Sequence, residues 1–301
     1  MADVATARSI PADAIPDRPN LVWEFVRKEP LGFIGFLIIL LYFVFAVGAK
    51  WIAPYDPEAV DFTAMLAAPG AEHLFGTDQY GRDVFSRLVY GARTALGVGI
   101  LSAFCGCTVG AVIGAASGYF GGRIDTVIQR VVDIMLSFPI IVLAMVVVAV
   151  LGKNVIVGID FNLIIAIALP MVLRMSRIAR SSTLSIAQMP FIDAARAAGY
   201  GHTRIVLRHI LPNIIAPYLI MVTAFIAQAI LLEASLSFLG LGVTEPTPAW
   251  GLMLSGTSAD FYKAAPWMIL FPGLAITLAV FAFNLFGDSL RDWLDPRIRL
   301  S

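Results

Sequence analysis

The sequence predicts an all-α membrane protein with six transmembrane helices and both termini on the cytoplasmic side. Three observations carry that reading. Of 301 residues, 59% are hydrophobic and 14% charged, with a mean hydropathy of +0.84. Soluble domains run at about half apolar and a quarter charged, so this chain has too few charges to coat a water-facing surface. Charge-free stretches of bilayer-spanning length recur along the chain, and Lys and Arg fall unevenly between them. The 21 basic and 21 acidic residues cancel, which leaves no bulk cationic field for nucleic acid. Cys105 and Cys107 alone give no disulfide framework, and three histidines argue against a multi-histidine metal site.

A helix needs about 20 apolar residues to cross a hydrocarbon core of roughly 30 Å. Residues 31–49 are the first such stretch, closed by Lys50 and Trp51 at an interface. No basic run leads straight into a short apolar core with a small-residue cleavage site, so it is read as an uncleaved span rather than a signal peptide. Residues 94–122, 134–152, 210–232 and 264–287 are further candidates. Residues 161–173 form a shorter one, which continues through Met175 and Ile178 with Arg174, Arg177 and Arg180 spaced to snorkel from one end. With the N-terminus inside, the inner segments hold 15 of the 21 Lys and Arg, and both termini lie in the cytoplasm. Residues 1–30 make a cytoplasmic tail, its first twenty residues Pro- and Ala/Asp-rich without periodicity and so read as disordered. Residues 31–92 hold the first span and an outer segment with the turn-rich YDPEAVDF and GTDQYGRD. Residues 93–290 hold the five remaining spans, and residues 291–301 are a cytoplasmic tail.

Within the second span Gly106, Gly110, Gly114 and Gly118 repeat every fourth residue, a ridge without side chains that lets another helix approach backbone to backbone. Cys105 and Cys107 in the same span read as small apolar packing residues. Between the fourth and fifth spans, residues 181–213 carry FIDAARAAGYGHTRIVLRHILPN. Residues 191–198 are strong helix formers, Gly199 and Gly201 bracket a turn, and residues 202–211 read as a second helix that Pro212 ends or bends. Physically, this is either a docking knob for a cytoplasmic partner or a basic inside loop.

Asp193-Ala194-Ala195, Gly199 four residues on and Leu211-Pro212 resemble the EAA loop of permease subunits in binding-protein-dependent ABC importers. The family's usual glutamate is aspartate here, and His209 stands where many members have isoleucine. FGTDQYGRDVFSRLVYGARTAL, GYFGGRIDTVIQRVVDIMLSFP, LEASLSFLGLGVTEPTPAWGLML and PGLAITLAVFAFNLFGDSLRDWLDPR are similar to the dipeptide, oligopeptide and nickel branch, closest to its C-type subunit.

The resemblance implies a type I ABC importer permease fold that forms half of a translocation pathway for short peptides. The implied partners are a second homologous permease, two cytoplasmic ATPase subunits and an extracytoplasmic solute-binding protein, with ATP and Mg bound by the ATPases. The chain carries no GxxxxGK[ST] phosphate loop of its own. Coupling to the ATPase is expected at Asp193, Ala194, Ala195, Arg196, Gly199 and Arg204, with Asp193 as polar anchor, Ala194 and Ala195 as the close-contact face and Gly199 as the turn. For Asp193 alone, helix capping or dipole compensation is a coexisting role.

Two span residues are candidates for the path. Glu233 is either a gate meeting a charged peptide terminus or an interfacial carboxylate in a capping hydrogen bond. Asn284 either lines the path or makes a helix–helix hydrogen bond. Asp288 and Arg291 are expected to pair. Residues 78–87 and 243–263, with Glu245, Trp250, Asp260 and Tyr262, are either a landing surface for the binding protein or solvated connectors. A nickel cargo changes only the substrate. An ion-coupled secondary transporter would need its own coupling carboxylates and repeated halves, which the spans do not display, and a channel would need no coupling loop.

Overall fold

The computed structural model describes residues 26–156, 159–256, 261 and 263–294. Residues 1–25 of the expected N-terminal tail, the end of the C-terminal tail, Asp260 and Tyr262 lie outside the described residues. Among the described residues five helices are long and apolar enough to cross a membrane, and a bent pair makes six spans if counted as one.

Helix α1, Pro30–Ile52, starts on a proline whose missing N–H costs nothing at a first turn and ends with Lys50 in its last turn. Its exposed face is almost wholly apolar, from Leu31 to Val47 and Trp51. Its buried face runs antiparallel along α10, Trp267–Leu294: Gly35 lies against Ala282 and Phe286, and Tyr42 Oη donates to the Ala275 carbonyl at 3.0 Å. Helix α2, Val84–Phe120, is the central element and starts about ten residues before the apolar stretch does. Asp83 caps it, accepting from the Ser86 N–H at 2.7 Å, and its 37 residues reach about 55 Å. The glycine ridge faces α5, Phe161–Ala187, and the two helices run parallel. Gly106 meets Ala168 and Met171, Gly110 meets Val172 and Met175, Gly114 meets Ser176 and Ala179, and Gly118 meets Arg180 and Thr183. Each step of four on α2 is matched by a step of four on α5, so the expected close packing is present inside this chain.

The expected third span is not one helix. Helix α3, Gly122–Leu136, and α4, Ile140–Leu151, meet at 96° across Ser137-Phe138-Pro139. Pro139 has no N–H and disfavours a helical Phe138, while the Ser137 hydroxyl takes up the Ile134 carbonyl at 2.7 Å. With 12 residues α4 reaches only about 18 Å, short of a bilayer core. Two-residue strands, Val155–Ile156 and Ile159–Asp160, pair antiparallel before Asp160 caps α5 through the N–H groups of Asn162 and Leu163.

The three arginines of α5 do not snorkel free but take named partners. Arg180 forks onto Asp125 of α3 at 2.6 and 2.5 Å, Arg177 pairs with Asp133, and Arg174 donates to Gln228 at 3.0 Å. After α6, Pro190–Ala197, and the single turn α7, His202–Ile205, the chain passes through a π turn, Val206–Ile210, and a 3-10 turn, Leu211–Ile214, into α8, Ile215–Phe238. Pro212 therefore neither ends the helix nor bends it sharply. The Leu211 N–H reaches back five residues to Val206, and the proline then stands in the first positions of the 3-10 turn, where its missing donor is not needed. Helix α9, Trp250–Met253, packs on α8 and carries a buried Trp250 into the bundle.

The bundle thus has two ends. One carries Lys50, residues 53–83, the α4–α5 hairpin and the loop from α8 to α9. The other carries Gly121, α3, α6 and α7.

Candidate functional site

The segment from α6 to α7 projects at the Gly121 end. Its alanine-rich helix stops in a Schellman turn: Gly199, at φ +78°, donates to the Arg196 carbonyl at 2.9 Å, and Tyr200 donates to the Ala195 carbonyl at 3.1 Å. The left-handed backbone at Gly199 is why a glycine is needed there, and its Cα faces open space. Asp193 is exposed, and its Oδ1 accepts from Arg196 at 3.2 Å, an exposed pair that contributes little to stability. Met189 is the N-cap residue, so Asp193 sits in the first turn, where the helix dipole favours its charge without a capping bond.

Ala194 is exposed, as are Arg196, Gly199 and Arg204. Ala195 is not: it is turned inward and buried beside Ile192. Residues three apart on a helix share a face, so the large Ile192 sets the buried side and carries Ala195 with it. The expected pair of contact alanines is therefore split. Ala194 stands outside with Phe191, 40% exposed, and Ala195 belongs to the core.

The segment is tied to the end of α2. Tyr119 Oη and His202 Nδ1 lie 2.9 Å apart, and the Arg196 guanidinium lies 5.6 Å from the Tyr119 ring centre. Within the segment Arg204 covers the Tyr200 ring at 4.0 Å, and Tyr200 stacks on His209 at 6.0 Å. At the same end of α2, Asp125 accepts from Ser117 at 2.5 Å as well as from Arg180. Neither Tyr119 nor His202 stands out in sequence, because the pair is 83 residues apart and lies on no shared period.

At the Lys50 end the two stretches read as a landing surface do meet, through the buried Asp78, Arg82 and Arg87 and the half-exposed Glu245. Arg82 donates to Asp78 at 2.6 Å and to Glu245 at 2.5 Å, and Arg87 donates to the carbonyls of Pro57 and Pro246 and to Glu245 at 3.4 Å. Burial opposes the charge on Arg82, but the bonds to Glu245 and Asp78 outweigh it and hold its pKa above the ordinary arginine value. Arg82, Arg87 and Asp78 are buried, and Trp250 Nε1 donates to the Leu88 carbonyl at 2.9 Å. These residues hold the α8–α9 loop onto α2 rather than presenting themselves to a partner, while Tyr80 remains exposed at the rim.

Glu233 lies in α8 with no exposed surface; its Oε1 accepts from Ser237 at 2.7 Å, and Ser237 Oγ in turn accepts from the Val243 N–H at 3.1 Å. That chain ties the end of α8 to the loop beyond it. Asn284 is exposed on α10. Asp288 and Arg291 are both exposed and form no ion pair with each other among the described residues, so the expected pairing is not made. Both can reach water from the end of their helix.

A bundle of bilayer-length helices with an ordered surface helix at one end and a folded cap at the other is the architecture of a multi-pass membrane protein. Comparison with known proteins gives the family. Residues 110–300 match the binding-protein-dependent transport system inner membrane component, and residues 20–69 match the N-terminal TM domain of oligopeptide transport permease C. A dipeptide transport system permease protein of Alkalihalophilus pseudofirmus is 42% identical over 274 residues, 91% of this chain and 88% of that one. A glutathione transport system permease protein of Escherichia coli is 42% identical over 278 residues, 92% and 90%. A putative peptide transport system permease protein of Brucella abortus is 42% identical over 267 residues, 89% and 88%. The methionine ABC transporter MetNI, solved facing inward, shares the fold with a TM-score of 0.52 at 19% identity, over 70% of this chain and 97% of that one. The chain belongs to the family of inner membrane components of binding-protein-dependent transport systems. It is a multi-pass inner-membrane permease subunit of the ABC importer type and not itself an enzyme.

Proposed function

We propose that this chain forms half of the translocation pathway of an ATP-driven importer of short peptides. A second homologous permease completes the pathway, two ATPase subunits that bind ATP and Mg dock on the α6–α7 segment, and a solute-binding protein delivers cargo at the Lys50 end. Both termini are cytoplasmic in this reading, which the excess of arginine at the Gly121 end supports. The peptide cargo rests on the likeness to permeases named for dipeptide, glutathione and peptide transport.

The observation that carries the coupling role is α6 itself. It is an eight-residue helix that offers Phe191, Asp193, Ala194 and Arg196 to solvent, stops in a glycine turn and is braced from behind by Tyr119 and His202. A helix that exposes an aromatic ring beside small and charged groups, on a rigid base, suits a groove in a partner protein. When nucleotide closes the ATPases, the pull on α6 passes through this brace to α2 and shifts the cavity between its two openings. The test is ATPase activity of the reconstituted complex with Asp193→Arg and Gly199→Leu in this chain. Loss of peptide-stimulated hydrolysis, with the permease pair still assembled, is the expected result. Unchanged hydrolysis and uptake would reduce the segment to a connector.

A further inference from the structure

At the Lys50 end a cavity of about 830 Å³ opens between the end of α1, the start of α2, the segment after α1 and the α8–α9 loop. Its lining holds five charged groups: Lys50 and Arg93 on the two helices, Asp56 and Glu58 on the connecting segment, and Asp160 at the cap of α5. None of the five forms an ion pair among the described residues. Three of the five are instead held by backbone. Arg93 Nη2 donates to the Val47 carbonyl at 3.3 Å and Nε to that of Ala46. Asp160 Oδ1 accepts from the N–H groups of Asn162 at 3.0 Å and Asn154 at 3.2 Å, and Asp56 Oδ1 accepts from that of Glu58 at 2.9 Å. Opposite charges thus line one cavity without neutralising each other, and both signs are open to a ligand. The Arg82–Asp78–Glu245 network nearby shows the contrast, because there the opposite charges do close on each other.

We propose that this cavity is a binding site for short zwitterionic peptides, with Lys50 and Arg93 receiving the terminal carboxylate and Asp56 and Glu58 the terminal ammonium. The inference rests on the reading of this chain as a peptide-importer permease with the Lys50 end outside, and it names a station that this chain itself provides after release from the binding protein. The volume lies within the range of about 300–1,000 Å³ common for small-ligand sites. Two fixed poles select a molecule charged at both ends over one that is blocked at either.

The test uses the assembled transporter, this chain with its partner permease and ATPases but no binding protein, in lipid nanodiscs. Saturation-transfer NMR measures binding of the dipeptide Ala-Phe, its N-acetyl form and its C-terminal amide. Lys50 and Glu58 are exposed, so Lys50→Ala and Glu58→Ala leave the fold intact, which an unchanged melting temperature checks. Each variant is expected to weaken Ala-Phe about tenfold, the loss of one charge-assisted contact. Because two groups serve each terminus, amidation should cost native protein more than Lys50→Ala does and should cost the Lys50→Ala protein less than native; N-acetylation should stand in the same relation to Glu58→Ala. Equal affinity of native and variants, or no binding to native, overturns the site. Variants that lose only the binding protein in a pull-down also overturn it and make the cavity a protein dock. Uptake of Ala-Phe by native proteoliposomes supplied with the binding protein is scored separately. Its absence refutes the peptide-importer reading, whereas uptake without cavity binding refutes only the site.

Discussion

A Cβ built on Gly110 falls 2.6 Å from the Val172 carbonyl oxygen, 2.8 Å from Met175 Cβ and 3.1 Å from Val172 Cα. Two of those atoms are backbone, which no rotamer change can move, so Gly110→Ala forces α2 and α5 apart. Contacts this short to backbone put the overpacking in the upper part of its usual range, about 2–3 kcal/mol, and the better helix propensity of alanine returns about 1 kcal/mol. The net loss is about 1–2 kcal/mol, which lowers the melting temperature by roughly 4 °C for a chain of this size. Gly97 supplies the control on the same helix, because nothing lies within 4 Å of its Cβ position. Gly97→Ala should hold or raise stability by up to about 1 kcal/mol. The assay is thermal unfolding of the purified chain in detergent, followed by the fluorescence of its five tryptophans. Equal shifts for the two variants, or a Gly110→Ala protein as stable as native, would refute the argument that backbone contact at the ridge sets the α2–α5 distance.

Glu245→Ala removes the carboxylate that Arg82 and Arg87 share and leaves Arg87 with the Pro57 and Pro246 carbonyls. Because Glu245 is half-exposed, the loss should be about 1–3 kcal/mol rather than that of a fully buried pair, read as faster amide exchange across residues 243–253. Tyr119→Phe deletes the hydroxyl that meets His202 and should cost about 1 kcal/mol locally. Exchange at residues 190–205 then quickens about fivefold while the middle of α2 is unaffected.

The bilayer helices were legible because each depends on a local property, a run of apolar residues long enough to cross. The glycine ridge was legible for the same reason: period four on one helix declares a close partner. The bend at Ser137-Phe138-Pro139 was not, since composition stays apolar across it and hydropathy carries no direction. Its signal was the proline itself, just after a stretch with Asp125 and Asp133 eight residues apart and facing arginines on α5. In the α6–α7 segment the glycine turn was readable, but the phase of α6 was not. Four alanines fit the inside and the outside of a helix equally well, and only Ile192 decides which of them is buried. The Arg82–Glu245 staple joins residues 163 apart through a loop fold that no periodicity announces.

The π turn at Val206–Ile210 and the 3-10 turn after it interrupt the regular ladder just where the α6–α7 segment enters α8. Helix α2, by contrast, is locked to α5 over four successive glycines and cannot slide without backbone collision. Stiffness in this subunit is therefore unevenly distributed: a two-helix beam with one soft joint beside it. In the proposed coupling, a pull on α6 that reaches α2 through Tyr119 moves this beam as one body and flexes the joint, so the angle of α8 to α2 is the coordinate along which one subunit changes shape.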